Sequence, residues 1–201
     1  MATKYKVSFY TFIFCSLLLL GITSYVKKWN EWGSQALISW DISGYYLYLP
    51  GFFYSNLGEL PQKQYLEDTY HPCAGDGMYA YRCPTGKYII KYASGMAFMY
   101  LPGFFVGHLW AKYGEYAVDG FSYPYQISMA YYSLLISMLG LWIVRKILLK
   151  FFEDKIVAFS IITLCIATNY PNYAAISSMF SHNYLFTIYA LIVLISIYWH
   201  Q

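Results

Sequence analysis

Charged residues are scarce in this sequence and are missing from long parts of it. Only 11% of its 201 residues are Asp, Glu, Lys or Arg, against roughly 25% in an ordinary globular protein. From residue 156 to the end, 46 consecutive residues contain none of them. A soluble domain spreads charged side chains over its surface, so this distribution excludes an ordinary soluble domain and indicates a membrane protein.

The uncharged segments have the length that a membrane span requires. Residues 7–26, 92–111 and 120–144 contain 20, 20 and 25 residues without a charge, and a helix needs about 20 to cross the roughly 30 Å hydrocarbon layer. The uncharged C-terminal segment fits two helices, separated near residues 169–172. The sequence therefore predicts an all-α, polytopic transmembrane protein with spans at about residues 7–26, 92–111, 120–144, 156–175 and 182–200.

The first apolar segment also has to be compared with a cleaved signal peptide. The apolar core of a signal peptide has roughly 7–15 residues and precedes a small-residue cleavage site. Residues 7–26 form a longer apolar run, and no A-x-A site follows. We therefore interpret this segment as a retained first helix.

Two further absences limit the possible partners and ligands. The sequence contains no long run of Lys and Arg, so a nucleic-acid partner is not expected. It also lacks a C-x-x-C pair, which makes metal ligation by Cys73 and Cys83 the less favoured interpretation. If their loop faces an oxidising space, a local disulfide between the two is expected instead. Cys15 and Cys165 lie in apolar spans and are expected to be small buried side chains.

The loop at residues 27–91 is too long to be a structureless connection in a compact protein. Its first part, residues 38–57, is aromatic and apolar but contains Asp41, Gly44 and Pro50. This pattern predicts one or two short helices in the membrane interface. The more polar residues 58–87 are expected to face water.

The orientation of the spans stays open at this point. Short loops rich in Lys and Arg normally remain cytoplasmic, and residues 145–155 contain four of these cations. Simple alternation from a cytoplasmic N-terminus would place this loop on the outside. Either the N-terminus is outside, one segment does not cross, or the loop is an exception.

Asp41 is the first candidate for chemistry. It follows the first span closely and lies among aromatic and apolar residues, where a carboxylate can serve as a general base. The alternative is structural, since an Asp at this place can also cap the helix that begins after it. The two roles do not exclude each other.

Four short motifs resemble the GT-C glycosyltransferases, a superfamily of membrane enzymes that includes protein O-mannosyltransferases and the aminoarabinose transferases of lipid A. The motifs are Asp41-x-x-Gly44-Tyr45-Tyr46, Lys91-Tyr-x-x-Gly95 with Leu101-Pro102, Ala117-x-Asp-Gly120 and Met179-x-Ser-His182. The order of elements is also similar: one helix, a long loop that opens with an acid, and a Lys before the second span. GT-C enzymes have many more spans than five, so we expect this chain to be the N-terminal part of a longer protein.

The resemblance implies roles for individual residues. Such enzymes transfer a sugar from a polyprenyl-phosphate carrier, and Asp41 matches the acid of their first loop. Lys91 matches the cation that meets the donor phosphate, although a Lys at a helix end also commonly reaches for lipid headgroups. The further substrate-binding candidates are Lys87, Arg82, Tyr45, Tyr46 and His182. For His182, a cap or interface role is the alternative.

No metal or other cofactor is expected. Glu67, Asp68, His71 and Asp76 could be interpreted as a metal cluster, but their spacing defines no coordination geometry. The expected function is a multi-pass glycosyltransferase of the cell inner (cytoplasmic) membrane, whose partners are the bilayer, a lipid-linked sugar donor and an acceptor of unknown identity. The alternatives are a transporter or flippase of a lipid-linked glycan and a structural membrane subunit.

Overall fold

The computed structural model describes residues 5–54, 56–73 and 77–200, and these residues are mostly helical. Short 3-10 turns and one π-helical turn connect the regular elements. In chain order the described elements are α1 (Lys6–Val26), α2 (Trp40–Tyr46), α3 (Tyr48–Tyr54), α4 (Lys63–Tyr70), β1 (Ala80–Arg82), β2 (Tyr88–Ile90), α5 (Gly95–Tyr113), α6 (Tyr123–Leu148), α7 (Asp154–Ile166) and α8 (Ser181–Trp199).

The chain divides into two compact units. The first, which we call the discontinuous unit, consists of the N-terminal residues through Val26 together with residues 133–201. The second, the loop unit, consists of residues 27–132. The boundary between them falls inside α6.

Three helices are long and apolar enough to cross a membrane by length and composition. They comprise Lys6–Asn30, which is α1 with the short turn after it, and the whole of α6 and α8. These helices agree with the predicted spans 7–26, 120–144 and 182–200 to within a few residues. The described part of the chain is thus mostly helical and carries three candidate membrane-spanning helices.

The other two predicted spans are not among these candidate membrane-spanning helices. The helix expected at residues 92–111 is α5, which begins at Gly95 and ends at Tyr113 and so agrees with the predicted bounds to within three residues. The helix expected at residues 156–175 is α7, which ends at Ile166 after 13 residues. At 1.5 Å per residue α7 is about 20 Å long, shorter than the hydrocarbon layer.

The early end of α7 follows from the residues after it. Thr168 donates its hydroxyl to the carbonyl of Leu164 at 2.6 Å, and its oxygen accepts the Tyr170 amide at 3.1 Å. Pro171 has no amide hydrogen, so it cannot bond the Ala167 carbonyl and continue the helical hydrogen-bond ladder. The chain then forms a π-helical turn, Asn172–Ile176, before α8 begins.

In the discontinuous unit, polar side chains tie distant segments together. The Asp154 carboxylate accepts the amides of Val7 at 2.8 Å and Ser8 at 3.1 Å, so it caps the start of α1. Arg145 donates to the Ser8 hydroxyl at 2.9 Å and to the Tyr5 carbonyl at 3.0 Å. The two bonds to Asp154 satisfy amides that a helix N-terminus otherwise leaves without partners.

A second polar network of this unit surrounds the buried Asn183. Its oxygen accepts the Ser137 hydroxyl at 2.7 Å, and its amide nitrogen donates to the carbonyls of Ser133 at 3.0 Å and Ser178 at 2.8 Å. In a predominantly apolar unit, such bonds connect α6 to α8 and to the segment before α8.

In the loop unit, the two short helices α2 and α3 lie in the segment where one or two short helices were predicted. Their place in a membrane interface stays a prediction. A small antiparallel hairpin of β1 and β2 follows within the region that was expected to be polar. The prediction of helices alone missed this hairpin, because its strands have only three residues each. The buried centre of the unit is aromatic and contains Tyr46, Tyr100, Phe104 and Phe121.

The expected disulfide between Cys73 and Cys83 is not formed. Both side chains are thiols in the structure, and the Cys73 sulfur lies 3.2 Å from the Ser43 hydroxyl oxygen. Cys15 and Cys165 are buried within the discontinuous unit, as expected.

Candidate functional site

Asp41 lies in the first turn of α2 and is not its cap. The helix begins at Trp40, and Ser39 is the residue before it. The capping interpretation of Asp41 is therefore wrong: the helix starts before Asp41, and the carboxylate contacts a side chain instead. A negative charge in the first turn still interacts favourably with the helix dipole.

The residue before Asp41 has an unusual backbone conformation. Trp40 has a φ of +48°, a left-handed value that a bulky residue rarely adopts without support from its surroundings. Its backbone amide donates to the Pro72 carbonyl at 2.9 Å, and its indole N–H donates to the Ser34 carbonyl at 3.0 Å. These two bonds stabilise the strained conformation of Trp40. They thereby fix the backbone that places Asp41 in the first turn of α2.

The Asp41 carboxylate is paired with Tyr92. The Tyr92 hydroxyl donates to Asp41 Oδ1 at 2.6 Å. Burial, this hydrogen bond and the negative charge of Asp41 raise the pKa of Tyr92 above its ordinary value, so the phenol stays protonated and remains a donor. Among the residues that the structure describes, Tyr92 is the only hydrogen-bond partner found for this carboxylate.

Gly44 allows Tyr92 to approach α2. A Cβ atom at position 44 would lie 2.5 Å from Tyr92 Cδ2 and 2.8 Å from Cε2, distances that real Cβ atoms do not adopt. The hydroxyl of Tyr48 in turn donates to the Tyr92 carbonyl at 2.6 Å. Side chain and backbone of Tyr92 are thus both held against α2 and α3.

Lys91 lies beside the same aromatic group. Its ammonium is 4.9 Å from the ring centre of Tyr79 and 5.3 Å from that of Tyr92, within the range of cation–π attraction. The backbone amide of Lys91 donates to the Tyr79 carbonyl at 2.8 Å, which extends the hairpin by one bond. No ion pair joins Lys91 to Asp41 in the described part of the chain, so both charges remain available to a ligand.

Tyr45 and Tyr46 have different environments although they are neighbours. The Tyr45 ring lies 4.3 Å from the Tyr92 ring, centre to centre, and takes part in the site. Tyr46 is fully buried and donates its hydroxyl to the Gly120 carbonyl at 2.7 Å. The structure thus places Tyr46 in the core, contrary to its assignment as a substrate-binding residue.

The remaining cations lie elsewhere. Arg82 and Lys87 are exposed and flank the turn of the hairpin, where Arg82 donates to the Gly86 carbonyl at 3.3 Å. Lys91 follows the opposite end of the hairpin, roughly 10 Å away at about 3.4 Å per strand residue. His182 belongs to the discontinuous unit, where its exposed ring lies 4.7 Å from the Tyr173 ring.

An apolar groove of about 330 Å³ adjoins Tyr48. Phe52 and Phe98, both about two-thirds exposed, lie along it, and Ser94 is at its edge. Tyr48 lines this groove and also bonds the backbone of Tyr92, so it connects the groove to the group around Asp41.

A second carboxylate, Asp119, was not among the predicted site residues. Its Oδ1 accepts the amides of Phe121 and Ser122, each at 2.9 Å, and its Oδ2 accepts the Tyr70 hydroxyl at 2.5 Å. Asp119 thus satisfies amides just before α6 and orders Tyr70. The Ala117-x-Asp-Gly120 motif was the feature of the sequence that could have identified Asp119 as a site residue.

The acidic residues considered for a metal have other partners. Glu67 forms an ion pair with Lys63 at 2.6 Å, and Asp68 accepts the Gln64 amide at 2.8 Å. His71 packs on Trp32, and Asp76 lies outside the described residues. Across residues 5–54, 56–73 and 77–200, no three potential metal ligands are grouped.

No known protein family, curated protein or solved structure matches this chain. The interpretation of the site therefore rests on its residues and geometry.

Proposed function

We propose that this chain is part of a GT-C-like membrane glycosyltransferase that takes sugar from a polyprenyl-phosphate-linked donor. In this proposal it is a multi-pass protein of the cytoplasmic membrane, and it needs no cofactor. Asp41 is the general base, and Lys91 binds the donor phosphate. Tyr45 and Tyr92 form the aromatic wall beside them.

The reaction would be a displacement at the anomeric carbon. A hydroxyl oxygen of the acceptor forms a bond to that carbon while the bond from the carbon to the phosphate oxygen breaks. The hydroxyl proton passes to Asp41, and polyprenyl phosphate leaves with the bonding electrons. Lys91 offsets the negative charge that develops on the leaving phosphate.

The observation that carries this proposal is the place of Tyr92 between a base and a cation. Its hydroxyl lies 2.6 Å from the Asp41 carboxylate, while its ring lies beside the Lys91 ammonium. An O–H group can therefore reach Asp41 at the distance that general-base catalysis requires. A carboxylate, and an ammonium for which no ion pair is found among the described residues, lie around one aromatic ring and suit a substrate with a hydroxyl and a phosphate.

The groove lined by Phe52 and Phe98 supports a lipid-linked donor. A polyprenyl chain is apolar and flexible. Its contact with exposed aromatic side chains along a groove is favourable, because apolar surface of both partners is removed from water. Because Tyr48 connects this groove to Tyr92, a phosphate near Lys91 and an apolar tail in the groove belong to one molecule in our proposal.

The substitution Asp41→Asn tests the proposal. Asn keeps the shape of Asp and can still accept the Tyr92 hydroxyl, but it cannot take a proton from the acceptor. We expect donor consumption to fall about 10²- to 10⁴-fold, the usual effect of losing a general base. The measurement is the release of polyprenyl phosphate from a panel of polyprenyl-phosphate sugars in membranes that contain the protein.

The matched control is Asp68→Asn, which neutralises an exposed acid of α4 in the same unit. It should leave both donor consumption and the melting temperature near those of the wild type. Equal donor consumption by Asp41→Asn and the wild type would contradict the role of Asp41. Movement of intact donor across the membrane, without release of polyprenyl phosphate, would support the transporter instead.

A further inference from the structure

A second cleft of the loop unit lies apart from the residues assigned to the reaction. Its volume is about 140 Å³, smaller than the roughly 300 Å³ at which drug-sized pockets begin. Five aromatic side chains line it, namely Trp29, Trp32, Tyr70, Phe121 and Tyr123. A cleft of this size and lining has room for one small group among aromatic rings.

Some of these rings are open to a ligand. Trp32 is 64% exposed and Tyr123 is 36% exposed, whereas Phe121 is buried and packs on Tyr70 with ring centres 5.8 Å apart. The rings of Trp29 and Tyr123 lie 5.7 Å apart and are inclined by 70°, so their faces point in different directions. The cleft thus combines a buried aromatic part with aromatic side chains that a ligand can reach.

The charge around this cleft is negative. The exposed Glu31 lines it, and among the described residues no Lys or Arg does. A second carboxylate, that of Asp119, accepts the hydroxyl of Tyr70 at 2.5 Å and adds negative charge next to the lining. Aromatic faces attract cations, and groups of aromatic side chains are a common way to bind an organic ammonium. Rings together with a carboxylate therefore favour such a cation.

The cleft lies where two candidate membrane-spanning helices end. The first of these helices ends at Asn30, and α6 begins at Tyr123; both residues line the cleft. The hydrocarbon layer gives way to the polar headgroups at the ends of such helices, and Trp and Tyr are enriched at this level. Lipid headgroups are therefore the source of organic ammonium nearest to the cleft.

We infer that this cleft binds the ammonium group of a zwitterionic phospholipid headgroup, of the choline or ethanolamine class. The ammonium lies among the aromatic rings beside Glu31. Lys27 and Lys28 directly precede Trp29 in the chain, and their charges suit the phosphate of the same headgroup. An anionic headgroup without an ammonium would be repelled by Glu31. The inference does not depend on the proposed transfer, because none of the residues assigned to the reaction lines this cleft.

The test is native mass spectrometry of the protein in a detergent without an ammonium group. Phosphatidylcholine, phosphatidylethanolamine and phosphatidylglycerol with identical acyl chains are added in turn. We expect the two ammonium lipids to be retained at lower concentrations than phosphatidylglycerol. Glu31→Gln removes the carboxylate, and Trp32→Ala removes an accessible ring. Each should weaken the retention of the ammonium lipids about two- to fivefold, the effect of losing one exposed charge pair or cation–π contact.

Two exposed residues provide matched controls. Asp68→Asn neutralises another acid of the loop unit, and Trp199→Ala removes an exposed Trp of α8; both should keep the preference for ammonium lipids. Saturation-transfer NMR with free choline separates a headgroup from a soluble amine. Choline binding without any preference among the three lipids would overturn the inference in favour of a soluble amine. Equal retention of the three lipids would also overturn it, as would a preference that both Glu31→Gln and Trp32→Ala leave intact.

Discussion

Two carboxylates, one in each compact unit, differ in how they are hydrogen-bonded. In the discontinuous unit, the Asp154 carboxylate accepts two backbone amides of α1. In the loop unit, the one partner found for the Asp41 carboxylate among the described residues is the Tyr92 hydroxyl. A carboxylate that accepts backbone amides stabilises the fold, whereas one held by a single side chain keeps acceptor capacity for a ligand.

The largest effect that could sharpen this contrast is expected at Gly44 of the loop unit. In Gly44→Ala the new Cβ would overlap the Tyr92 ring, which must then move away from Asp41. A displacement of about 1 Å at a reacting group can lower the rate about 100-fold, and we expect donor consumption to fall by that order. Polyprenyl phosphate release and the melting temperature are measured together.

Gly95→Ala is the control for this substitution. Gly95 is also a helical glycine of the loop unit, but a Cβ there would have nothing within 4 Å. Alanine favours a helix over glycine, so this variant should keep full activity. If Gly44→Ala were as active as Gly95→Ala, the packing of Tyr92 on α2 would have no functional importance.

A stability effect is expected at Asn183 in the discontinuous unit. Asn183→Ala removes three hydrogen bonds of the buried Asn183 side chain, although the Ser137 hydroxyl keeps the Ser133 and Ala174 carbonyls as acceptors. A typical intramolecular hydrogen bond contributes about 0.5–1.5 kcal/mol, so we expect the three losses together to make unfolding in detergent easier by about 1–3 kcal/mol. Circular dichroism during thermal or denaturant unfolding measures the change.

Ser160→Ala provides the comparison within the same unit. Among the described residues, the one bond found for the Ser160 hydroxyl is to the Ile156 carbonyl of its own helix, and its loss should change stability by less than about 0.5 kcal/mol. Equal unfolding of the two variants would show that the network around Asn183 does not stabilise the unit.

A smaller, pH-dependent effect is expected at Asp154. Burial alone would raise the pKa of Asp154, but its hydrogen bonds to Ser8 and Val7 and the charge of Arg145 outweigh burial and lower it. A carboxyl group with a lowered pKa in the folded state stabilises the protein above its unfolded pKa of about 3.9. That stabilisation is lost as the pH falls through the folded pKa.

At pH 7, Asp154→Ala should reduce stability by about 1 kcal/mol, the usual effect of losing a helix cap. The difference from the wild type should shrink below about pH 4, because protonation weakens the cap of the wild type as well. Unfolding curves between pH 3 and pH 7 test this expectation. Glu153→Ala, which changes the adjacent acid, should show a smaller difference, and a constant effect of Asp154→Ala across this range would contradict the capping role.

The apolar helices were the part of the fold that the sequence predicted well. Helices α1, α6 and α8 follow from uncharged segments of sufficient length, since such a segment leaves the backbone few alternatives to a helix. The same criterion predicted a helix longer than α7, because a lack of charged residues gives no information about residues that interrupt a helix. Thr168 and Pro171 end that helix although the segment stays apolar.

The candidate site was predictable only in part. Asp41, Lys91 and Tyr45 were selected from their place in short motifs, and the structure brings them together around Tyr92. Tyr92 itself was missed as a site residue, because nothing in a linear sequence shows that residues 41 and 92 are neighbours. The cleft lined by Trp29, Tyr70 and Phe121 was missed for the same reason, since its walls come from three separate parts of the loop unit.

The hairpin of β1 and β2 determines which way Lys91 faces. Its register pairs Ala80 with Ile90 and Arg82 with Tyr88, and the bond from Lys91 to Tyr79 continues this ladder. Successive strand residues face opposite sides, so adding or deleting one residue in the turn would reverse the side that Lys91 presents. In the evolution of such a chain, the five residues between the strands can change in identity far more readily than in number.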